Sequence, residues 1–461
     1  MNRSIKIILY NKFVKLLHAR EVKETNYNMV KHQEIIDRIT SMLFKPGELQ
    51  FKVDSSLSIL IRRSIAQYCG YRYWNPSIFN IILRNIVSLF LIPFYIIYLY
   101  IKNIKLIRRD IITSSQIDNI LICQPTSNIF TVPFNKIYPK NSRIIDGPLQ
   151  KIRSKDIMFL VAIIRRYVKI LFYPELMLRT IRRIAQYSAN IEKYNCKIIV
   201  VMSAEGSPWS SVLTAYCRSR DVKHVQIMHG IRFYSSQMAF AEFDDYYVWG
   251  EYHINVFKKM NVNAHRFIVV GNPIHQDIYQ EIERIKDNKI SKVILICFDY
   301  PIMIEDDMFS LAKELVMKVE ETHWDIVFRP HPRYIKESLE FLEKLQYYCS
   351  TKITTDNPLT ITLRDSIKKA DVVVSSYSNA LMDAWIAGRK CIYIHNDRIP
   401  LQEFHYSKNI KIFHKGDDVN SFLLSPIISD TTEHDLKKRY SYNYNLASMP
   451  RCYEYLDCND I

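Results

Sequence analysis

From residue 119 onward the sequence alternates short apolar runs with longer stretches of helical spacing, and this alternation constrains the fold more than any other feature. The runs at 120–123 (ILIC) and 198–202 (IIVVM) are wholly apolar, and further strands read at 225–228, at 245–249 and, as FIVVG, within 262–271. Strands of this kind are buried on both faces, which is the condition of a parallel sheet. Helical spacing lies between them, around 157–193 and 213–220. After a polar segment at 280–292 a second series begins. It has strands at 293–298, 325–328, near 352–354, at 371–374 and at 391–394, and helices over 307–321, 335–347, 359–369 and 381–388. Two successive series of about 150 residues each predict an α/β protein of two doubly wound, Rossmann-like domains facing a cleft.

Glycine is the next constraint. Average usage of about 7% would place about 32 in a chain this long. There are nine, and Gly206, Gly230, Gly250 and Gly271 crowd into 206–271, where they are expected to mark positions of backbone constraint. The apolar share of 48% and charged share of 24% exclude general disorder. Nine cysteines form no C-x-x-C pair and no zinc-spaced cluster with histidine, which points to a reducing compartment rather than a disulfide scaffold.

Charge divides the chain. Residues 1–200 hold 32 Lys and Arg against 12 Asp and Glu, whereas 201–461 hold 31 against 35. The front should therefore face something anionic, and no nucleic-acid module surrounds its scattered Arg pairs. Within it, 85–101 (NIVSLFLIPFYIIYLYI) carries no charge and is followed by Lys102, Lys105, Arg108 and Arg109. Its seventeen residues sit at the lower limit for a spanning helix, Pro93 interrupts it, and Tyr95, Tyr98 and Tyr100 gather toward the basic end. The pattern predicts a helix lying in or dipping into an anionic membrane surface; a core helix or a true span are the alternatives. The opening residues do not read as a secretory signal.

Ligands of open parallel sheets bind beyond the carboxyl ends of the strands, and polar clusters recur there. Ser203-Ala204-Glu205-Gly206-Ser207 follows one strand, His229-Gly230 the next, and Gly271-Asn272-Pro273 a third. In the second series Arg329-Pro330-His331-Pro332-Arg333 and Ser375-Ser376-Tyr377-Ser378-Asn379 hold the equivalent places. The serine turn before a helix N-terminus, with Arg329, His331 and Arg333 on a neighbouring strand end, suits a nucleotide phosphate. Asp383, inside that helix, could accept hydrogen bonds from a ribose. For the serines the competing reading is helix capping, and for His331 a structural histidine held between prolines. Neither G-x-G-x-x-G nor a P-loop occurs, and no cofactor is expected. Glu242-x-Asp244-Asp245 superficially matches a metal-binding D-x-D but reads as the polar lead-in to a strand, so no metal is assigned.

HG at 229–230, YVWG at 247–250, GNP at 271–273, RPHP at 329–332 and SSYSN with Asp383 and Gly388 together resemble the bacterial GT-B glycosyltransferases of capsule and lipopolysaccharide synthesis, over about residues 195–400. Two branches are similar. CDP-glycerol glycerophosphotransferases carry HG, an Arg-x-His-Pro turn and S-Y-S-x-x-x-x-D, matched by His229, Arg329–Pro332 and Ser376–Asp383. Bacterial sialyltransferases carry an HP and a Ser-Ser motif, matched by His331-Pro332 and Ser375-Ser376. Their acidic-acidic-Gly motif is half matched, because Ala204 precedes Glu205.

The resemblance implies transfer of a sugar, without metal, from a CMP-, UDP- or CDP-linked donor to a surface polysaccharide or lipid-linked glycan. The alternatives are transfer of a polyol phosphate and sugar-nucleotide epimerisation. It implies a base from the first domain, Glu205 or His229, and donor contacts from Arg329, His331, Ser375, Ser376, Ser378, Asn379 and Asp383, with Gly271-Asn272-Pro273 as a turn lining the cleft. The expected division is a basic, membrane-associated region over 1–110, an acceptor domain over 111–285, a donor domain over 286–420 and a helical tail over 421–461. Such a protein would work on the cytoplasmic face of a bacterial inner membrane and bind no nucleic acid.

Overall fold

A computed structural model describes residues 29–49, 55–73, 78–107, 120–123, 142–144, 150–202, 204–228, 230, 234–272, 275, 278–280, 282, 292–298, 306–332, 334–350, 352–376, 378–395 and 401–441. Two compact units result. The first holds the described residues up to Val248 and His253–Val269, and the second holds Trp249–Tyr252 and those from Val270 onward.

The first unit opens with helices α1 (Met29–Leu43), α2 (Leu57–Tyr73) and α3 (Ile78–Ile107). Strands β1 (Ile120–Cys123) and β2 (Ser142–Ile144) precede α4 (Ser154–Arg166), a 3₁₀ turn (Val168–Phe172) and α5 (Pro174–Tyr194). Then come β3 (Ile198–Met202), α6 (Ser210–Ser219), β4 (Lys223–Ile227), β5 (Glu242–Val248), α7 (Glu251–Lys259) and β6 (Asn263–Val269). All strand pairs are parallel, in the order β2-β1-β3-β4-β5-β6. The single helix expected around 157–193 is two, because Pro174 starts a new helix at its first position, where the missing N–H costs nothing.

Two expectations need correcting here. The region 1–110 is not a separate body: α2 packs on α6, with Ser64 Oγ accepting the Val212 N–H (3.1 Å) and Ser210 Oγ donating to Gln67 (3.1 Å). And Glu242, Asp244 and Asp245 are not a lead-in but the first half of β5, with Glu242 and Asp245 fully buried. Each is neutralised by side chains distant in sequence. Glu242 meets Arg63 (3.0 Å) and Arg218 (3.4 Å), and Asp244 meets Arg218 (2.6 Å). Asp245 meets Lys223 (2.8 Å) and Arg266 (3.0 Å). Burial pulls the Arg63 guanidinium below its ordinary pKa, and the Glu242 charge opposes that shift.

The second unit is built from β7 (Val293–Cys297), α8 (Asp306–Glu320), β8 (Asp325–Phe328), α9 (Ile335–Gln346), β9 (Thr354–Thr355), α10 (Leu363–Lys369) and β10 (Val372–Ser375). It continues through α11 (Asn379–Ile386), β11 (Lys390–Ile394), β12 (Ile410–Phe413), α12 (Asn420–Leu424) and α13 (Thr431–Tyr440). Its parallel sheet runs β12-β11-β10-β7-β8-β9, so the order reverses between β10 and β7. Beyond 420, the described residues to 441 pack into this unit. Trp385, at the centre of the core, donates from Nε1 to Glu433 (2.6 Å) on α13 and to Ser407 (2.9 Å). Residues 442–461 lie outside the described residues.

Two stability predictions follow from these buried groups. Glu242→Gln leaves Arg63 buried without its counter-charge and should cost about 3–5 kcal/mol in chemical unfolding. His224 is buried between Tyr187 (3.2 Å) and Thr214 (2.8 Å), and burial pushes its pKa down to about 3; His405 is likewise pushed down to about 3. Both stay neutral in the folded chain and protonate near 6.5 when unfolded. Their stabilisation is therefore complete above that value and lost as pH falls, at up to about 1.4 kcal/mol per pH unit for each. Urea midpoints should drop between about pH 7.5 and about pH 5.5, and less so in a folded His224→Asn variant.

Candidate functional site

The strand reversal of the second unit places Ser375 and Ser376 where such sheets bind ligands. Ser375 closes β10, and its hydroxyl donates to the Cys297 carbonyl of β7, so it ties two strands together. Ser376 is different: 2% exposed, its Oγ has no hydrogen-bond partner among the described residues. Ser378 caps α11, accepting the Ala380 N–H at 3.2 Å, and Asn379 opens the helix exposed to solvent.

Just past the first turn of α11, Asp383 Oδ1 lies 2.7 Å from Nε2 of His275. His275 is fully buried, its ring meets Trp249 edge-on at 5.2 Å, and its Nδ1 has no partner among the described residues. The histidine is carried there by the turn after β6. Gly271 takes φ +77°, a left-handed conformation that favours glycine. The Asn272 N–H donates to Ser441 (3.3 Å), and the Asn272 carbonyl accepts the His275 N–H (3.1 Å). Pro273 lies outside the described residues. Gly250 is constrained by space, since a Cβ there would collide with the Arg439 carbonyl. Gly206 is not constrained in this way, as a Cβ there meets nothing within 4 Å. The turn belongs to the second unit, so the boundary falls at Val269, ahead of the expected 285.

Arg329 is tied into the frame of its own unit. It is buried, donating to Ser366 Oγ (2.9 Å) and to the Ile361 carbonyl (2.8 Å), and burial lowers its pKa. It braces the approach to α10 through these two bonds. Likewise Ser375 and Ser378 have structural duties, the second being the capping role weighed from sequence. His331 remains half-buried at the end of β8, its N–H donating to Ser338 (3.1 Å) and its ring 5.2 Å from Tyr334. Arg333 lies outside the described residues.

In the first unit Glu205 occupies a 3₁₀ turn, Ala204–Gly206, directly after β3. The Ala204 N–H donates to the buried Gln226 of β4 (3.1 Å), which fixes the turn to the strand ends. β3 adjoins β1 where the strand order of this sheet turns back. His229 lies outside the described residues, one position after the Met228 N–H donates to the Tyr247 carbonyl.

His275 is the residue that sequence reading missed. Its signal was faint, a histidine two places beyond Gly271-Asn272-Pro273, and its partner Asp383 is 108 positions away.

No protein-family model matches the chain, and no curated protein matches it in sequence. Among solved structures, it is similar to a UDP-GlcNAc 2-epimerase from Methanocaldococcus jannaschii, at 13% identity over 73% of this chain and 98% of that one, with a TM-score of 0.43. It is also similar to a glycosyltransferase from Rickettsia africae (13% identity, 70% of this chain and 86% of that, TM-score 0.40). A third is the wall teichoic acid polymerase TagF (12% identity, 60% and 70%, TM-score 0.32).

Ser376→Ala tests the site directly. The hydroxyl has no hydrogen bond within the described protein to lose, so unfolding stability should hold within about 0.5 kcal/mol. Under the expectation that this turn holds a nucleotide phosphate, affinity measured by calorimetry should fall about tenfold, the worth of one hydrogen bond to a charged oxygen.

Proposed function

We propose that the chain is a GT-B glycosyltransferase that moves a sugar from a nucleotide-linked donor to a surface polysaccharide or lipid-linked glycan. The observation that carries this reading is Ser376, a buried hydroxyl without a partner among the described residues, at the strand reversal and two residues before the cap of α11. A phosphate oxygen beside it would accept from Oγ at the N-terminal end of α11, whose dipole favours an anion. Asp383, with Oδ1 held by His275, keeps its second oxygen for a ribose hydroxyl. His331 supplies a further donor to the leaving phosphate.

In this reading the acceptor hydroxyl attacks the anomeric carbon as the bond from that carbon to the donor phosphate breaks. The electron pair of the broken bond leaves with the nucleotide. Glu205 or His229, each just beyond a strand of the first unit, takes the acceptor proton. The departing charge is met by Ser376, the helix N-terminus and His331, so the step proceeds without a metal ion.

Thermal-shift measurements with CMP-, UDP-, GDP- and CDP-linked donors identify the nucleotide. Product analysis then separates the classes: a glycosyltransferase makes a new glycosidic bond, a polyol-phosphate transferase a new phosphodiester, and an epimerase alters the donor with no acceptor present. Activity should persist in a chelator. Glu205→Gln or His229→Asn, whichever removes the base, should lower turnover by about 10²–10⁴ with nucleotide affinity nearly unchanged. Full activity in both variants would reject a base at either position, and unchanged donor affinity in His331→Ala would reject its phosphate contact.

A further inference from the structure

Helix α3 carries its polarity the wrong way round for a helix in water. It packs along α5 through a stripe spaced by four and three residues: Ile81, Asn85, Ser88, Ile92, Tyr95 and Leu99. Half of that inward stripe is polar. Asn85 Oδ1 accepts the Glu175 N–H (3.3 Å), Tyr95 donates to Gln150 (2.9 Å), and Ser88 and Leu99 are buried. The opposite face is apolar and exposed, with Ile82, Ile86, Leu89, Phe90, Phe94 and Ile97 directed away from the protein. A helix over the surface of a soluble protein shows the reverse pattern.

The stretch Phe79–Ile101 is long and apolar enough to cross a membrane. Yet its inward stripe is docked on the unit from Ile81 to Leu99, so the helix lies along the protein surface rather than projecting from it. The contacts of Tyr95 and Asn85 also fix its neighbours. Gln150 stands just before α4, and Glu175 just after the 3₁₀ turn Val168–Phe172. That turn exposes Val168, Leu171 and Phe172, the last at 80%, among the exposed Arg165, Arg166 and Lys169. Alternating apolar and cationic side chains of this kind fit the boundary between acyl chains and anionic headgroups.

We propose that α3 and the 165–172 segment form one lipid-binding face, on which α3 lies in the plane of an anionic bilayer with its outer residues among the acyl chains. A second copy of the chain is the poorer occupant, because the cations of 165–169 would then face their own kind. This face is independent of the donor chemistry proposed above, since it is read without nucleotide.

The test uses the full chain with vesicles of phosphatidylcholine, alone or mixed with phosphatidylglycerol. Phe90→Glu with Phe94→Glu should abolish binding to both, and thermal stability should hold because both rings are exposed. Arg165→Gln, Arg166→Gln and Lys169→Gln together should weaken binding to the mixed vesicles by about two orders of magnitude and spare the weaker binding to neutral ones. Tryptophan placed at Phe90 or at Phe172, read against the parent's own tryptophans, should be quenched at shallow depth by brominated lipid. Quenching of position 90 at the bilayer centre, or none at position 172, would overturn the in-plane face. Vesicle binding unchanged in the double glutamate variant would also overturn it, as would a stable dimer that binds neither vesicle.

Discussion

The contact between Glu242 and Arg63 is the point on which the first unit depends. Glu242 begins β5, between β4 and β6, and Arg63 comes from the middle of α2. Their ion pair at 3.0 Å is fully buried, with Ser55 donating to the same carboxylate (2.7 Å) and Arg63 donating to the Asn261 carbonyl (2.7 Å). A buried charge without its partner costs several kcal/mol, so the helices cannot leave the sheet without exposing or orphaning both groups. The pair also spaces the rest. α2 placed on α6 leaves Tyr68 to donate to Glu175 (2.8 Å), and Glu175 heads the helix on which α3 lies. The apolar outer face of α3 is thus anchored to the sheet through one chain of polar contacts.

Parallel pairing does comparable work in both units. Each strand must be followed by a crossover before the next can pair, so every strand ends on the same edge of its sheet. Five polar clusters separated in sequence are thereby gathered on two edges. In the second unit the reversal between β10 and β7 lies beside a buried hydroxyl, Ser376, that has no partner among the described residues. The 2.7 Å contact between Asp383 Oδ1 and His275 Nε2 holds one carboxylate oxygen in place, and in the proposed reading the other meets a ribose.

Much of this was legible in the sequence, for a local reason. A strand covered on both faces must be apolar throughout, so VILICF and IIVVM announce parallel sheets without knowledge of their neighbours. The placement of Glu205, His331 and Ser376 at strand ends follows from the same pattern. Where the reading failed, the deciding partner was remote. Glu242-x-Asp244-Asp245 looks like a solvated segment until Arg63, Arg218, Lys223 and Arg266 surround it. Arg329 reads from sequence as an open cation, and only the fold shows its fork held by Ser366 and the Ile361 carbonyl.

By itself, then, the sequence determined the two parallel sheets, the strand-end positions of the polar clusters, the charge asymmetry and an apolar helix near residue 90. Those are properties of periodicity and composition, which act within a few residues. Tertiary structure decided which polar groups are spent and which are left over. It gave Arg329, Ser375 and Ser378 structural duties, left Ser376 without a partner among the described residues, and joined His275 to Asp383. It also turned the polar stripe of α3 inward and its apolar face out. The physical reason is that a hydrogen-bonding group is used up only by a partner brought within about 3 Å, and here those partners come from elsewhere in the chain.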